Sequence, residues 1–102
     1  MRARVSWMNE VDDAILEYLR ELETEAGHRI SLPPTAVWYN LVEELEVLDR
    51  SQNTVSRRMN ILDQASLLEK TDEDRGYYRI TSKGIAYLDG ELDASDLEFE
   101  EE

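Results

Sequence analysis

From Ser51 to Ile80 the spacing of apolar residues changes from helical to strand-like, and this change constrains the fold more than any other stretch of the chain. Ser51 is a good helix N-cap, its hydroxyl within reach of the amide of Asn53 or Thr54. Val55, Met59 and Leu62 follow at i, i+4 and i+7, within about 60° of one another on a helix. The helix is expected to end near Ala65. Leu67 to Thr71 then reads as a strand, and Asp72, Glu73, Asp74, Arg75 and Gly76 as a turn-rich loop. Tyr77 to Ile80 reads as a returning strand, with Tyr78 and Ile80 on one side and Tyr77 and Arg79 on the other. A helix followed directly by a β-hairpin is expected.

The flanking segments supply helices to pack against it. Asn9 suits an N-cap, with Glu10, Asp12 and Asp13 in the first turn where carboxylates favour the helix dipole. That helix is expected over about Glu10 to Glu25, with Val11, Ile15, Tyr18, Leu19 and Leu22 as its apolar stripe and Glu17, Glu21 and Glu23 in solvent. Gly27 is placed to end it, and His28 to Leu32 reads as a short strand. Pro33 and Pro34 open a second helix, Thr35 to Leu45, burying Val37, Trp38, Leu41, Val42 and Leu45. Thr81 caps a last helix of about Ser82 to Leu92, weakened by Gly84 and Gly90.

At 102 residues the chain is long enough for about one small domain. It divides into an N-terminal arm of residues 1–8 anchored by Trp7, a domain of residues 9–92, and an acidic tail of residues 93–102 expected to be disordered or lightly docked. The fold class is α+β, mostly α: a three-helix core, a small β-hairpin and a C-terminal helix.

Chemistry is harder to place than fold. The chain has no cysteine and one histidine, His28, so neither a thiolate metal site nor a histidine cluster is available. The carboxylates fall on exposed helix faces and no glycine-rich phosphate loop occurs, which makes an enzyme the weakest reading. Asp72, Glu73 and Asp74 lack the spacing of a calcium loop. No cofactor and no metal is expected. No apolar run approaches the roughly 20 residues of a membrane span, and the first residues lack a signal-peptide pattern, so a cytoplasmic location is expected.

With 24 acidic and 11 basic residues the net charge is -13, which taken as a sum opposes nucleic acid. The distribution says otherwise. From Arg50 to Lys83 there are seven basic residues against five acidic, a balance of +2, so the other segments carry -15. Nine arginines, only two lysines and pervasive acids suggest a halophile; the alternative is an ordinary acidic protein from a low-salt cytoplasm. In molar salt the Debye length is about 3 Å, and distant acids repel phosphate little.

Opposite the apolar stripe of the third helix fall Asn53, Ser56, Arg57, Asn60 and Gln64. These are the amide, hydroxyl and guanidinium groups that read base edges and phosphates. Taken alone, such a face is more simply a solvated surface. Yet no acid occurs from Arg50 to Leu62, while acids dominate the other exposed faces, and that contrast favours a nucleic-acid surface.

The run SQNTVSRRMNILDQASLLEKTDEDRGYYRITSKGIAYL, with its serine-capped TVSRR helix, LLEK strand, RGYYRIT return strand and TSKG helix start, resembles the winged helix-turn-helix transcription regulators of haloarchaea, in particular the phage phi-H repressor-like family. The likeness extends from about Trp7 to Leu92. It implies a winged helix-turn-helix that binds double-stranded DNA, with helix 51–65 in the major groove and the wing of residues 67–80 along the backbone or minor groove. By the same likeness Gln52, Asn53, Ser56, Arg57 and Asn60 would face base edges, Ser51, Thr54 and Arg58 would lie nearer phosphate, and the wing would offer Arg75, Tyr77 and Arg79.

Two positions depart from the pattern: Ser66 stands where a glycine is expected, and the wing tip Asp72 to Asp74 is acidic, which disfavours deep insertion. A homodimer is expected, because paired half-sites raise specificity, with its surface built from the N-terminal region and the last helix. The competing reading is a winged-helix module for protein contacts, or a DNA mimic, using the acidic surface. It accounts for the net charge more directly but leaves the acid-free stretch around Arg57 and Arg58 unexplained.

Overall fold

A computed structural model describes residues 2–98. Its order is α1 (Glu10–Glu21), α2 (Pro34–Trp38) continuing as a π-helical segment (Tyr39–Glu44), α3 (Gln52–Gln64), β1 (Leu68–Asp72), β2 (Tyr77–Ile80), α4 (Ser82–Leu88) and a 3-10 turn (Ala94–Leu97). Helices α1, α2 and α3 enclose a core of Val11, Ile15, Leu19, Val37, Leu41, Val55, Met59 and Leu62, which the hairpin closes with Leu68, Tyr78 and Ile80. This is the winged helix-turn-helix arrangement expected from the sequence.

Asn9 caps α1 as anticipated: its side chain accepts from the amide of Val11 at 2.9 Å, and Asp12 returns the favour at the Asn9 amide, also at 2.9 Å. The helix ends at Glu21 rather than Glu25, because the chain reverses through a hydrogen-bonded turn from Thr24 to His28. Gly27 belongs to that turn, at φ +84°. The strand expected over 28–32 is reduced to isolated bridges, Glu23 with Arg29 and Leu32 with Tyr78.

The second helix departs most from expectation. After Trp38 it widens to π geometry, and the Leu45 amide reaches back to the Asn40 carbonyl at 2.8 Å. Widening the turn carries Leu45 off the line of Val37 and Leu41, so this residue, expected in the core, is 55% exposed.

At its C-terminus α3 closes with Ser66 at φ +65°, the Ser66 amide bonding the Asp63 carbonyl and the Leu67 amide the Leu62 carbonyl. Ser66 thus occupies the left-handed position where glycine was expected. Strand β1 is shifted by one residue at each end from the expected 67–71, and β2 matches. They pair antiparallel with Leu68 opposite Ile80, Glu69 opposite Arg79 and Lys70 opposite Tyr78, followed by an irregularity between Lys70 and Asp72. Tyr78 and Ile80 point inward and Arg79 outward, as alternation requires.

Thr81 caps α4 by accepting from the Gly84 amide at 3.0 Å. The helix stops at Leu88, not Leu92, because Gly90 turns left-handed at φ +74° and the Glu91 amide closes onto Ala86. The Tyr87 hydroxyl donates to Asp13 at 2.6 Å, joining α4 to α1; burial, then this hydrogen bond, push the phenol's pKa well up. The acidic tail is docked as far as Leu97, which is buried and whose carbonyl accepts from the Trp7 indole at 3.0 Å. The rest of the tail, residues 99–102, lies outside the described residues.

Candidate nucleic-acid interface

Helix α3 is held at three levels along its length. Just before it, the Trp38 indole donates to the Arg50 carbonyl at 3.0 Å, and the Arg50 guanidinium pairs with Glu10 at 2.6 Å. At its middle, Arg58 reaches α1. At its end, the Asp63 carboxylate accepts from the Lys70 amide at 3.2 Å, fixing the wing against the helix. Ser51 starts the helix by accepting from the Thr54 amide at 3.2 Å, and the Ser51 and Thr54 hydroxyls meet at 3.0 Å.

The face left outward carries Gln52, Asn53, Ser56, Arg57, Asn60 and Gln64, all exposed. Arg57 makes no hydrogen bond or ion pair with another described residue. Thr54 is half-buried beside the cap and Ser51 is exposed. The amide and hydroxyl groups of this face can each donate and accept, and the guanidinium adds a planar donor fork, which is the complement needed for base edges and phosphate oxygens.

Arg58 does not belong to this face, correcting the expectation that it lies nearer phosphate. Its Nε and Nη2 bind the two carboxylate oxygens of Asp12 at 2.8 and 2.7 Å, and Nη2 also donates to the Trp7 carbonyl at 2.7 Å. The Arg58 side chain is 12% exposed and that of Asp12 0%. Position 58 sits about 60° from Val55 around the helix. At that margin the neighbour decides which way a side chain turns, and here the neighbour is the N-terminus of α1. A buried guanidinium needs a paired carboxylate, and Asp12 provides it.

The wing presents a mixed surface. Arg79 is exposed and pairs across the strands with Glu69. Arg75 is exposed, its Nε 3.8 Å from Asp72, and Tyr77 is half-buried. Asp72 is used by the turn itself: its Oδ1 accepts the amides of Asp74 and Arg75, each at 3.1 Å, while its carbonyl accepts from Gly76, which stands at φ +65°. One of the three acids at the tip is therefore committed to local structure, and Glu73 and Asp74 remain exposed. Lys70 lies over the Tyr78 ring at 5.4 Å rather than projecting from the wing.

Sequence reasoning missed the residues that aim α3 without touching its outer face: Asp12, Glu10, Trp38 and Asp63. Asp12 carried a signal, since a carboxylate three residues after an N-cap Asn marks a capping box, but nothing in the spacing linked it to Arg58.

The match to known proteins covers nearly the whole chain. Residues 1–100 match the family described as winged helix-turn-helix phage repressor. The chain is 31% identical over 102 residues to the repressor protein of Halobacterium phage phiH, spanning 96% of this chain and 98% of that protein. It is also similar to the crystal structure of the PhiH1 repressor-like protein from Haloarcula marismortui, with a TM-score of 0.70 and 34% identity over 90% of this chain and 89% of the other. On these matches, this chain belongs to the winged helix-turn-helix phage repressor family.

Proposed function

We propose that this protein is a sequence-specific DNA-binding transcription regulator of repressor type, acting as a homodimer in the cytoplasm. Helix α3 enters the major groove and the wing of residues 67–80 lies along the backbone. The observation that carries this reading is the outer face of α3: exposed amides, a hydroxyl and an arginine without a partner among the described residues, on a protein of net charge -13. A surface merely kept in solution would be expected to carry acids there, as the other exposed faces do.

Arg57 addresses guanine, Gln52, Asn53 and Asn60 address adenine, and Ser56 serves either base. Ser51 and Thr54 stand at the helix start toward phosphate, and Arg75, Tyr77 and Arg79 bring the wing to the backbone. The exposed Glu69 pair restrains Arg79 only weakly, since surface ion pairs contribute about 0–1 kcal/mol. Arg58 is not among the contacts.

Binding to duplex DNA from the protein's own promoter region, followed across salt concentration, tests the reading. Arg57→Ala lowers affinity by about tenfold or more, in line with about 1–3 kcal/mol for a bidentate base contact. Undiminished binding by this variant would remove α3 as the reading helix.

A further inference from the structure

We propose that Trp7 is a positioning residue for the reading helix: it ties the C-terminal segment of residues 93–97 to Arg58, and this tie sets how α3 presents its outer face to DNA. The inference rests on the DNA-reading role proposed above and deepens it.

Trp7 is bonded through both its side chain and its backbone. The indole Nε1 donates to the Leu97 carbonyl at 3.0 Å, and the Trp7 carbonyl accepts from Arg58 Nη2 at 2.7 Å. These contacts span 90 and 51 positions of sequence, so they join the two ends of the chain to the middle of α3. Neither end has a scaffold of its own. Residues 2–8 form no helix or strand. The C-terminal segment is one 3-10 turn, closed on itself by the Asp93 amide donating to Asp96 at 2.9 Å, and Leu97 is its buried side chain. A single turn of this kind does not stand alone. Arm and tail therefore hold each other, and Trp7 is where they meet.

Arg58 turns that contact into a constraint on α3. Its guanidinium meets three acceptors: the two Asp12 oxygens at 2.8 and 2.7 Å and the Trp7 carbonyl at 2.7 Å. The bidentate fork on Asp12 fixes the plane of the group, and the carbonyl from the arm fixes its position in that plane. Asp12 is itself held by the α1 capping box, where it accepts from the Asn9 amide at 2.9 Å. The other ion pair on this helix, Arg50 with Glu10 at its start, is exposed and restrains it weakly. Rotation of α3 against α1 is thus governed from Arg58.

The consequence for reading is geometric. Outer atoms of a helix lie about 5–6 Å from its axis, so turning α3 by about 10° moves the side chains of Arg57 and Asn60 by about 1 Å. Specific contacts require placement to within about 0.5 Å. Attraction to phosphate is electrostatic and tolerates such a shift. Loss of the tie therefore lowers discrimination between sequences before it lowers affinity for DNA as such.

Trp7→Phe in the full chain keeps an apolar ring and removes the indole donor. Affinity for duplex DNA from the protein's own promoter region, taken relative to an unrelated duplex of equal length, is expected to fall about tenfold, the worth of about one base contact. Affinity for the unrelated duplex, and its dependence on salt, should stay at the wild-type values. Arg58→Lys keeps a charge beside Asp12 but loses the planar fork, and is expected to lower the same ratio. In the free protein, Trp7→Phe should quicken amide hydrogen exchange at residues 57–60 and 96–98 while the hairpin keeps its wild-type rates. A Trp7→Phe protein that melts earlier yet retains the wild-type ratio and wild-type exchange in α3 overturns the proposal and leaves Trp7 a packing residue. A wild type that does not distinguish the two duplexes refutes sequence reading itself; exchange in the free protein then decides alone whether the tie acts on α3.

Discussion

Arg57 and Arg58 are adjacent in sequence, yet one projects from α3 with no hydrogen bond or ion pair among the described residues and the other closes a bidentate pair on the buried carboxylate of Asp12. The difference predicts opposite consequences of the same truncation. Removing one partner of a buried pair leaves the other charge uncompensated, so Arg58→Ala is expected to cost about 3–5 kcal/mol. Arg57→Ala, at an exposed helix position, should change stability by no more than about 0.5 kcal/mol. Urea unfolding of the two variants under one salt condition checks the contrast, and equal losses would contradict it. The helical wheel of Val55, Met59 and Leu62 located the outer face correctly, and with it Asn53, Ser56, Arg57 and Asn60. It failed at position 58 because a residue on the margin of a face is assigned by the helix packed beside it, and the 46 residues separating Asp12 from Arg58 leave no pattern to read.

At the scale of elements, the two hairpin strands and the helix starts were the legible parts, while the strand expected over 28–32 did not form. Asn9, Ser51 and Thr81 cap the helices they were expected to cap, and the alternation of Tyr77 to Ile80 gave the correct inward side. The ends and irregularities were less so. Gly90 and the Thr24 to His28 turn each stop a helix before its apolar stripe runs out, and the π segment after Trp38 leaves no mark on residue spacing.

Gly84 shows how tertiary contact can reverse a local preference. As a glycine in the first turn it weakens α4, and alanine would be favoured there by up to about 1 kcal/mol on propensity alone. A Cβ at this position, however, would meet the Leu67 carbonyl oxygen at 2.4 Å and Ile80 Cγ1 at 2.7 Å. The carbonyl belongs to backbone at the entry to the wing and cannot swing aside as a side chain would. Overpacking of this kind costs about 1–3 kcal/mol, so Gly84→Ala should lower the unfolding temperature despite its better helix propensity. A rise in that temperature would mean that α4 can shift off the hairpin at little cost.

For the molecule as a whole, charge sets the terms. A net charge of -13 on 102 residues opposes compaction through self-repulsion and opposes approach to DNA, and both effects shrink as salt shortens the Debye length. Local contacts with phosphate behave in the other direction, because each neutralised phosphate releases counterions that added salt disfavours. The two trends can be separated because few cations are free to act. Arg2, Arg20, Arg50 and Arg58 are paired with carboxylates away from the outer α3 face, Lys70 covers Tyr78, and the proposed interface retains Arg57, Arg75 and Arg79. With a contribution of about -0.9 per phosphate, a protomer using these three would give a slope of log affinity against log salt no steeper than about -3. Over the same salt range the urea midpoint of the free protein should rise as repulsion among its acids is screened. Measuring both on one preparation tests the account: a slope twice as steep per protomer would bring in cations outside the proposed interface, Arg4, Arg29 and Lys83 among them, and a midpoint that falls with salt would show that internal ion pairs, rather than repulsion among the acids, dominate the stability of the fold.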